Sequence, residues 1–379
     1  LQNLIGSGSF GKVHRVKERN TGVIYAAKIS YKTLDTNLNS TNLDIYREVD
    51  IISKLNHPSV LKFITFSPFN FKKKSKPVII TEFASNGSLE GFLSLQRSGS
   101  KTVNFDDTNK LIIIFGIASG MSYLHEHDII HRDLKPDNIL LDDFLFPKIA
   151  DFGLSKISNQ NESNSSTTTF GSIKGTPKYM SPEIWRNAEY SKASDVYAFS
   201  LILYEVITNE QPFNDFNFFE ICLKVIQSYR PKFPKEIPES YKNLIEKCWD
   251  QDPQKRPTFI EILDQLKNNR GFITDKINEE KFRKYIDYIE NYKTSFNEFA
   301  RPINFESIKI NELSGKIIEN DTNAFSFISE IYPFQKYMKL KEDCKKIVQE
   351  AEKDPKKQYE IGIHLIKCQY YFPQDIELG

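Results

Sequence analysis

The chain has 379 residues, of which 39% are hydrophobic and 27% charged, enough for a packed core and for two domains. Its formal net charge of +1 creates no field that would single out nucleic acid or a membrane surface as partner. Cys222, Cys248, Cys344 and Cys368 form no CxxC pair, and no run of about 18 apolar residues occurs, so disulfide frameworks, zinc sites and membrane spans are not expected, whereas a reducing, cytoplasmic setting is.

Leu1 opens the chain inside a strand-like pattern and without an initiator methionine, so a piece of a longer protein is expected. The first glycines stand as Gly6-Ser7-Gly8-Ser9-Phe10-Gly11, followed by Val13. Glycines so placed let a strand–turn–strand fold over phosphates with its N–H groups pointing in. Alone, this GxGxxG fits a plain hairpin equally well. A dinucleotide fold is disfavoured, because residues 12–17 read as a second strand and not as a helix. The apolar strand ending in Ile29 carries Ala26 and Lys28. Residues 44–55 place Ile45, Val49, Ile52 and Leu55 at helical spacing, with Glu48 among them. A lysine that holds phosphate oxygens while partly desolvated needs such a carboxylate to keep it charged and aimed.

The basic run 72–76 reads as a solvated loop. Residues 77–83 form a buried strand that carries Thr81 and Glu82, with Ala84 just beyond. Helical periodicity holds from about residue 107 to 268, interrupted by a hairpin over 139–150 with Leu140 and Ile149 on its strands. Two motifs flank that hairpin: His131-Arg132-Asp133-Leu134-Lys135-Pro136-Asp137-Asn138 and Asp151-Phe152-Gly153. Asp133 is suited to accept a hydroxyl proton. Asn138 and Asp151 offer the oxygen ligands that hard Mg²⁺ wants when phosphates complete its shell. Residues 158–172 are a polar interruption rich in Ser, Thr and Asn. From 270 onward the chain is helical in flavour.

These motifs resemble the eukaryotic protein kinase family over residues 1–268. Val196-Tyr197-Ala198-Phe199 and Cys248-Trp249-Asp250 resemble its tyrosine-kinase-like group, which acts mostly on serine and threonine. The resemblance implies an α+β, two-lobed fold: a small antiparallel β lobe with one main helix (1–83), a large helical lobe (84–268), and a helical tail. It implies ATP and Mg²⁺ as cofactors and protein Ser/Thr hydroxyls as substrates. Gly6, Ser7, Gly8, Ser9, Phe10 and Gly11 would cover the nucleotide, and Val13, Ala26 and Leu140 would hold the adenine. Thr81, Glu82 and Ala84 would line the segment joining the lobes, Thr81 as a small gatekeeper. Lys28, paired with Glu48, would contact the α- and β-phosphates. Asp133 would orient and deprotonate the acceptor hydroxyl, Lys135 would stand near the γ-phosphate, and Asn138 and Asp151 would hold the metal.

Further matches are Ser181-Pro182-Glu183, with serine where the family has alanine, Asp195 as anchor of the catalytic loop, and Arg256 as partner of Glu183. Lys135 and Thr176 resemble the serine/threonine branch. Arg132 implies control by phosphate on the segment 151–183, which holds Ser165, Ser166, Thr167, Thr168, Thr169 and Ser172; the alternative is a merely flexible loop. Residues 269–350 read as a helical connector, and 351–379 as the start of a SEL-one-like, tetratricopeptide-like repeat that could recruit protein partners; a helix pair packed on the kinase is the other reading. A non-catalytic scaffold is the rival function, and it normally comes with a damaged Lys, Asp or Asn, all of which are intact here.

Overall fold

Alternation along β3 (Ile24–Ser30) sends Ala27 to one side of the strand and Ala26 and Lys28 to the other. In the computed structural model β3 is flanked by β1 (Leu4–Ser7), β2 (Gly11–Lys17), β4 (Phe63–Ser67) and β5 (Val78–Glu82). They form one antiparallel sheet in the order β1-β2-β3-β5-β4. Val16, Ala27, Val78 and Ile80 make its buried face, with Tyr25, Ile29, Ile64 and Phe71 packed against them. The register sets Val13 opposite Lys28 and Ala26 opposite Thr81, so these four share the other face. The helix α1 (Ser40–Lys54) follows β3 and buries Val49, Ile51 and Ile52.

The described residues are 1–8, 11–32, 40–72, 74, 76–99, 105–157, 174–234 and 236–295. They divide into two compact units: Leu1–Leu55 with Lys62–Phe83, and Asn56–Leu61 with the chain from Ala84 onward. The first is the sheet with α1. The second is helical: α2 (Leu89–Arg97), α3 (Asp107–Glu126), α4 (Pro182–Asn187), α5 (Lys192–Thr208), α6 (Phe218–Ile226), α7 (Glu239–Cys248), α8 (Phe259–Asn268) and α9 (Glu279–Ser295). Two short ribbons sit among the helices: β6 (Ile129–Ile130) pairs with β9 (Lys156–Ile157), and β7 (Ile139–Leu141) with β8 (Pro147–Ile149). This is the α+β, two-lobed arrangement that the motifs imply.

α3 is apolar around its whole circumference and buries Leu111 through Ile114, Phe115, Ile117 and Met121, as a central core helix must. Among the described residues no helix is long and apolar enough to cross a membrane. α5 starts at a capping box between Ser191 and Ser194, which fixes the helix end that carries Asp195. The hairpin read over 139–150 is β7–β8. The helix read over 44–55 starts earlier, at Ser40. β6 and β9 have no counterpart in the sequence reading, because two-residue strands exist only through their pairing. Within the expected connector, α9 is described. The connector's residues 269–278 are described as well, whereas the connector from 296 onward, the repeat over 351–379 and the segment 158–172 lie outside the described residues.

Candidate active site

In the first unit the site begins at the turn between β1 and β2. Gly8 N–H donates to Gly11 O at 3.0 Å. A Cβ on Gly11 would lie 2.2 Å from Ile29 O, so the close approach of β2 to β3 demands glycine there. A Cβ on Gly8 would meet nothing within 4 Å, and one on Gly6 only Val13 Cβ at 4.0 Å. Ser7 pairs with Lys12 at the end of β1, while Ser9 and Phe10 lie outside the described residues. On β3, Lys28 Nζ stands 2.6 Å from Glu48 Oε1 of α1. The Lys28 side chain is 23% exposed and that of Glu48 9%, so the carboxylate is the more buried partner of the pair. Thr81 Oγ1 donates to Glu82 O at 3.1 Å, and the Glu82 carboxylate accepts Lys62 N–H at 2.8 Å.

The second unit holds the remaining residues in a dense network. Asp195, 1% exposed, accepts His131 N–H at 2.9 Å, Arg132 N–H at 3.0 Å and His125 Nε2 at 2.9 Å. His131 Nε2 faces Ala150 O at 3.1 Å and its Nδ1 faces Asp133 N–H at 3.4 Å. A carbonyl only accepts and an amide N–H only donates, so the neutral ring protonated on Nε2 satisfies both contacts. His131 thereby joins the loop bearing Asp133 to the strand end bearing Asp151.

Asp133 Oδ1 accepts Thr176 Oγ1 at 2.8 Å. Its Oδ2 lies 2.9 Å from Lys135 Nζ and 3.1 Å from Asn138 Nδ2. Lys135 Nζ also donates to Thr176 Oγ1 at 2.6 Å, and Asn138 Nδ2 to Asp133 O at 2.8 Å. With its amide nitrogen committed to Asp133, Asn138 offers a ligand only its oxygen. Ala150 N–H donates to Asn138 O at 2.8 Å, one residue before Asp151. Asp151 itself sits at φ 63°, a left-handed conformation that aspartate tolerates. No cluster of three or more His, Cys, Asp or Glu fit to hold a metal occurs among the described residues. The donor types of Asn138 and Asp151, an amide oxygen and a carboxylate, are those a hard cation such as Mg²⁺ takes when phosphates and water complete its shell.

Around this network stand further bonded pairs. Arg256 forks onto Glu183 at 2.7 and 2.8 Å, and its Nε donates to Asp250 O at 2.9 Å. Burial alone would raise the Glu183 carboxyl, but the Arg256 bonds and charge outweigh it and hold it below its ordinary value. The Arg132 guanidinium lies over the Tyr190 ring, 5.0 Å from its centroid, and Tyr190 Oη bonds both the N–H and the carbonyl of Lys174. Tyr179 Oη donates to buried Glu205 Oε1 at 2.6 Å. Burial pushes the Glu205 carboxyl up to about 7, with Glu90 adding to the rise and the Tyr179 bond and Arg97 opposing it.

The structure thus brings Lys28 to Glu48, gathers Asp133, Lys135 and Asn138, and stations Leu140 on β7 opposite Lys148. Sequence reasoning missed His125 as a second partner of Asp195, Tyr190 as the face beneath Arg132, and the direct bonds of Thr176 to Asp133 and Lys135. Only Thr176 carried a signal, the Gly175-Thr176-Pro177 triplet; the others are single residues without a motif.

An antiparallel sheet with one helix, a helical unit, a glycine turn and a carboxylate–lysine–threonine cluster define a phosphotransferase of the two-lobed kinase class. The chain belongs to the protein tyrosine and serine/threonine kinase family, matching it over residues 1–266. The family uses ATP and Mg²⁺ in general. Serine/threonine-protein kinase CTR1 of Arabidopsis thaliana is 35% identical over 275 residues, 70% of this chain and 31% of the relative. Serine/threonine-protein kinase STY17 of the same plant is 33% identical over 272 residues, 70% of this chain and 44% of the relative. Dual specificity protein kinase shkC of Dictyostelium discoideum is 29% identical over 367 residues, 90% of this chain and 68% of the relative. A relative from Acanthamoeba polyphaga mimivirus is 35% identical over 261 residues, and there the chain spans only 14% of the relative's length.

Proposed function

We propose that the protein transfers the γ-phosphate of ATP to serine or threonine hydroxyls of other proteins, in signalling. The observation that carries this is the Asp133 carboxylate held between Lys135, Thr176 and Asn138. When bound, ATP with Mg²⁺ supplies the electrophilic phosphoryl group and neutralises much of its charge. Every other contribution is positional or electrostatic, as phosphoryl transfer requires. The glycine-rich turn from Gly6 to Gly11 covers the phosphates. Val13, Ala26, Thr81, Glu82, Ala84 and Leu140 receive the base. Lys28, kept charged by Glu48, binds phosphate oxygens. Asn138 Oδ1 and the Asp151 carboxylate hold the cation. The Asp133 carboxylate accepts the hydrogen bond of the incoming hydroxyl, aligns it and takes its proton. Lys135 balances charge at the transferred group and, through Thr176, fixes the carboxylate.

Thr176 bonded to both Asp133 and Lys135 favours serine and threonine as acceptors. The relative named a dual-specificity kinase, which aligns with 90% of this chain, favours tyrosine as a second acceptor. Lys28, Glu48, Asp133, Asn138 and Asp151 are all in place, which argues against a purely scaffolding role. Phosphorylation of the segment 158–172, sensed through Arg132, and recruitment of protein partners through 351–379 belong to the same proposal.

The test is incubation with Mg²⁺ and labelled ATP on a generic basic protein, beside Asp133→Asn and Asp151→Asn, followed by phosphoamino-acid analysis. Label on serine and threonine that disappears in both variants is the expected result. No label, with ATP still bound, would move the scaffold role to the front. Equal label on tyrosine would establish dual specificity.

A further inference from the structure

The family match ends at residue 266, yet α9 (Glu279–Ser295) is built into the second unit. Phe282, Tyr285 and Ile289 are at most 3% exposed. Phe282 and Tyr285 meet the Phe115 ring of α3 edge-on, with centroids 5.5 and 6.3 Å apart. Asn278 N–H donates to Thr108 Oγ1 at 2.9 Å and Lys281 Nζ to Asn109 Oδ1 at 2.8 Å, tying the start of α9 to the start of α3.

Tyr285 does more than fill space. Its hydroxyl lies 3.4 Å from Ser59 Oγ, and Ser59 is fully buried. Ser59 O accepts Ile149 N–H at 2.8 Å, and Leu61 N–H donates to Ile149 O at 2.8 Å. Residues 59–61 therefore grip β8 two positions before Asp151. Two glycines one turn apart on α3 make room for this arrangement. A Cβ on Gly116 would sit 2.3 Å from Tyr285 Oη and 2.5 Å from Pro147 Cγ. A Cβ on Gly120 would sit 2.7 Å from Ile149 Cδ1 and 3.0 Å from Ser59 O. Tyrosine, gripping segment and strand share one notch in α3. Burial raises the Tyr285 hydroxyl well above its ordinary value, so it keeps its proton across the physiological range.

We propose that Tyr285 is a positioning residue for phosphoryl transfer: through Ser59 it holds β8, and with it the Asp151 carboxylate that binds the cation. The proposal rests on the assignment of Asp151 as a metal ligand. It makes α9 part of the catalytic domain. Removing the hydroxyl leaves Ser59 Oγ buried without that partner and loosens the strand it supports.

The experiment compares the full chain with Tyr285→Phe, Ser59→Ala, their double variant and Tyr288→Phe, a control on the same helix with 42% of its surface exposed. The first readout is amide exchange at Ile149 and Leu61 without nucleotide, and the second is the Mg²⁺ concentration at half-maximal transfer, set against kcat. Tyr285→Phe and Ser59→Ala should each speed exchange about fivefold and raise the Mg²⁺ requirement by a similar factor, with kcat changed less. The double variant should be no worse than the worse single one, because both break the same link. Unchanged exchange, equal exchange in Tyr288→Phe, or a lower melting temperature with unaltered Mg²⁺ dependence would overturn the proposal. A wild-type chain that moves no phosphate would instead overturn the kinase assignment, and exchange alone would then decide whether Tyr285 braces β8.

Discussion

The two units handle their candidate residues in opposite ways. In the first, Lys28 is ion-paired with Glu48 of α1, and of the turn glycines only Gly11 is sterically demanded. In the second, Asp133, His131, Asn138 and Asp195 are cross-linked by bonds of 2.8 to 3.4 Å. The difference follows from what each has to do. Groups that cover a nucleotide must let it in and out, so a turn with space around Gly8 suits them. Groups that align a hydroxyl and a metal gain from being fixed in advance, since misplacement costs rate directly.

The strongest break in that comparison comes from Asp133 and Asp151. Asp133→Asn removes the proton acceptor and should lower turnover by about 10³-fold, and Asp151→Asn should abolish transfer. The melting temperature of both should fall less than that of Asp195→Ala, because neither residue is as buried as Asp195.

A break of the scaffold itself comes next. Asp195→Ala strands His131 N–H, Arg132 N–H and His125 in a buried site and should cost about 3 kcal/mol or more of stability, read by urea unfolding. Activity should fall with it, whereas Lys28→Met should lose activity at nearly unchanged stability. Equal stability losses in the two variants would erase the contrast between the units.

Within the first unit, Gly11→Ala forces a Cβ against the Ile29 carbonyl and should destabilise by about 1–3 kcal/mol. Gly8→Ala should lie within about 0.5 kcal/mol of wild type, because its Cβ meets open space. Thermal unfolding of the pair would show whether the turn is as loose as its geometry.

A further effect is one of pH. The folded-state carboxyl of Glu205 titrates at about 7, above its ordinary 4.5. Between those values the native state binds more protons than the unfolded chain, so Glu205 makes stability fall as pH rises from 4.5 to 7 and then level off. Glu205→Gln should flatten that decline and gain relative stability at pH 8 over pH 5, measured by urea midpoints. A variant with the wild-type slope would place the titration elsewhere.

Much of this site is legible without coordinates because its chemistry is packed into contiguous runs. Residues 131–138 and 151–153 hold the groups proposed as proton acceptor, charge-balancing lysine and metal ligands in two short motifs, and Lys28 and Glu48 sit on elements whose periodicity can be read directly. The Glu183–Arg256 pair was legible through motifs at both ends, although 73 residues separate them. What escaped reading consists of single residues that meet across the fold. His125 reaches Asp195 over 70 positions, and Tyr285 reaches Ser59 over 226. Nor does any local pattern say that 56–61 folds with the helical unit.

The sequence by itself determined the family, the alternation of sheet and helix and the identity of the groups suited to phosphoryl transfer, because local periodicity and short motifs encode these within a few turns of chain. Only the tertiary structure decided how those groups are held: which tautomer His131 adopts, which oxygen Asn138 leaves free, why Gly11 must lack a side chain, and that a helix beyond the family boundary sets its tyrosine into a notch in α3. Those are matters of close packing and of hydrogen-bond partners far apart in the chain, and packing is settled only when all the neighbours are present.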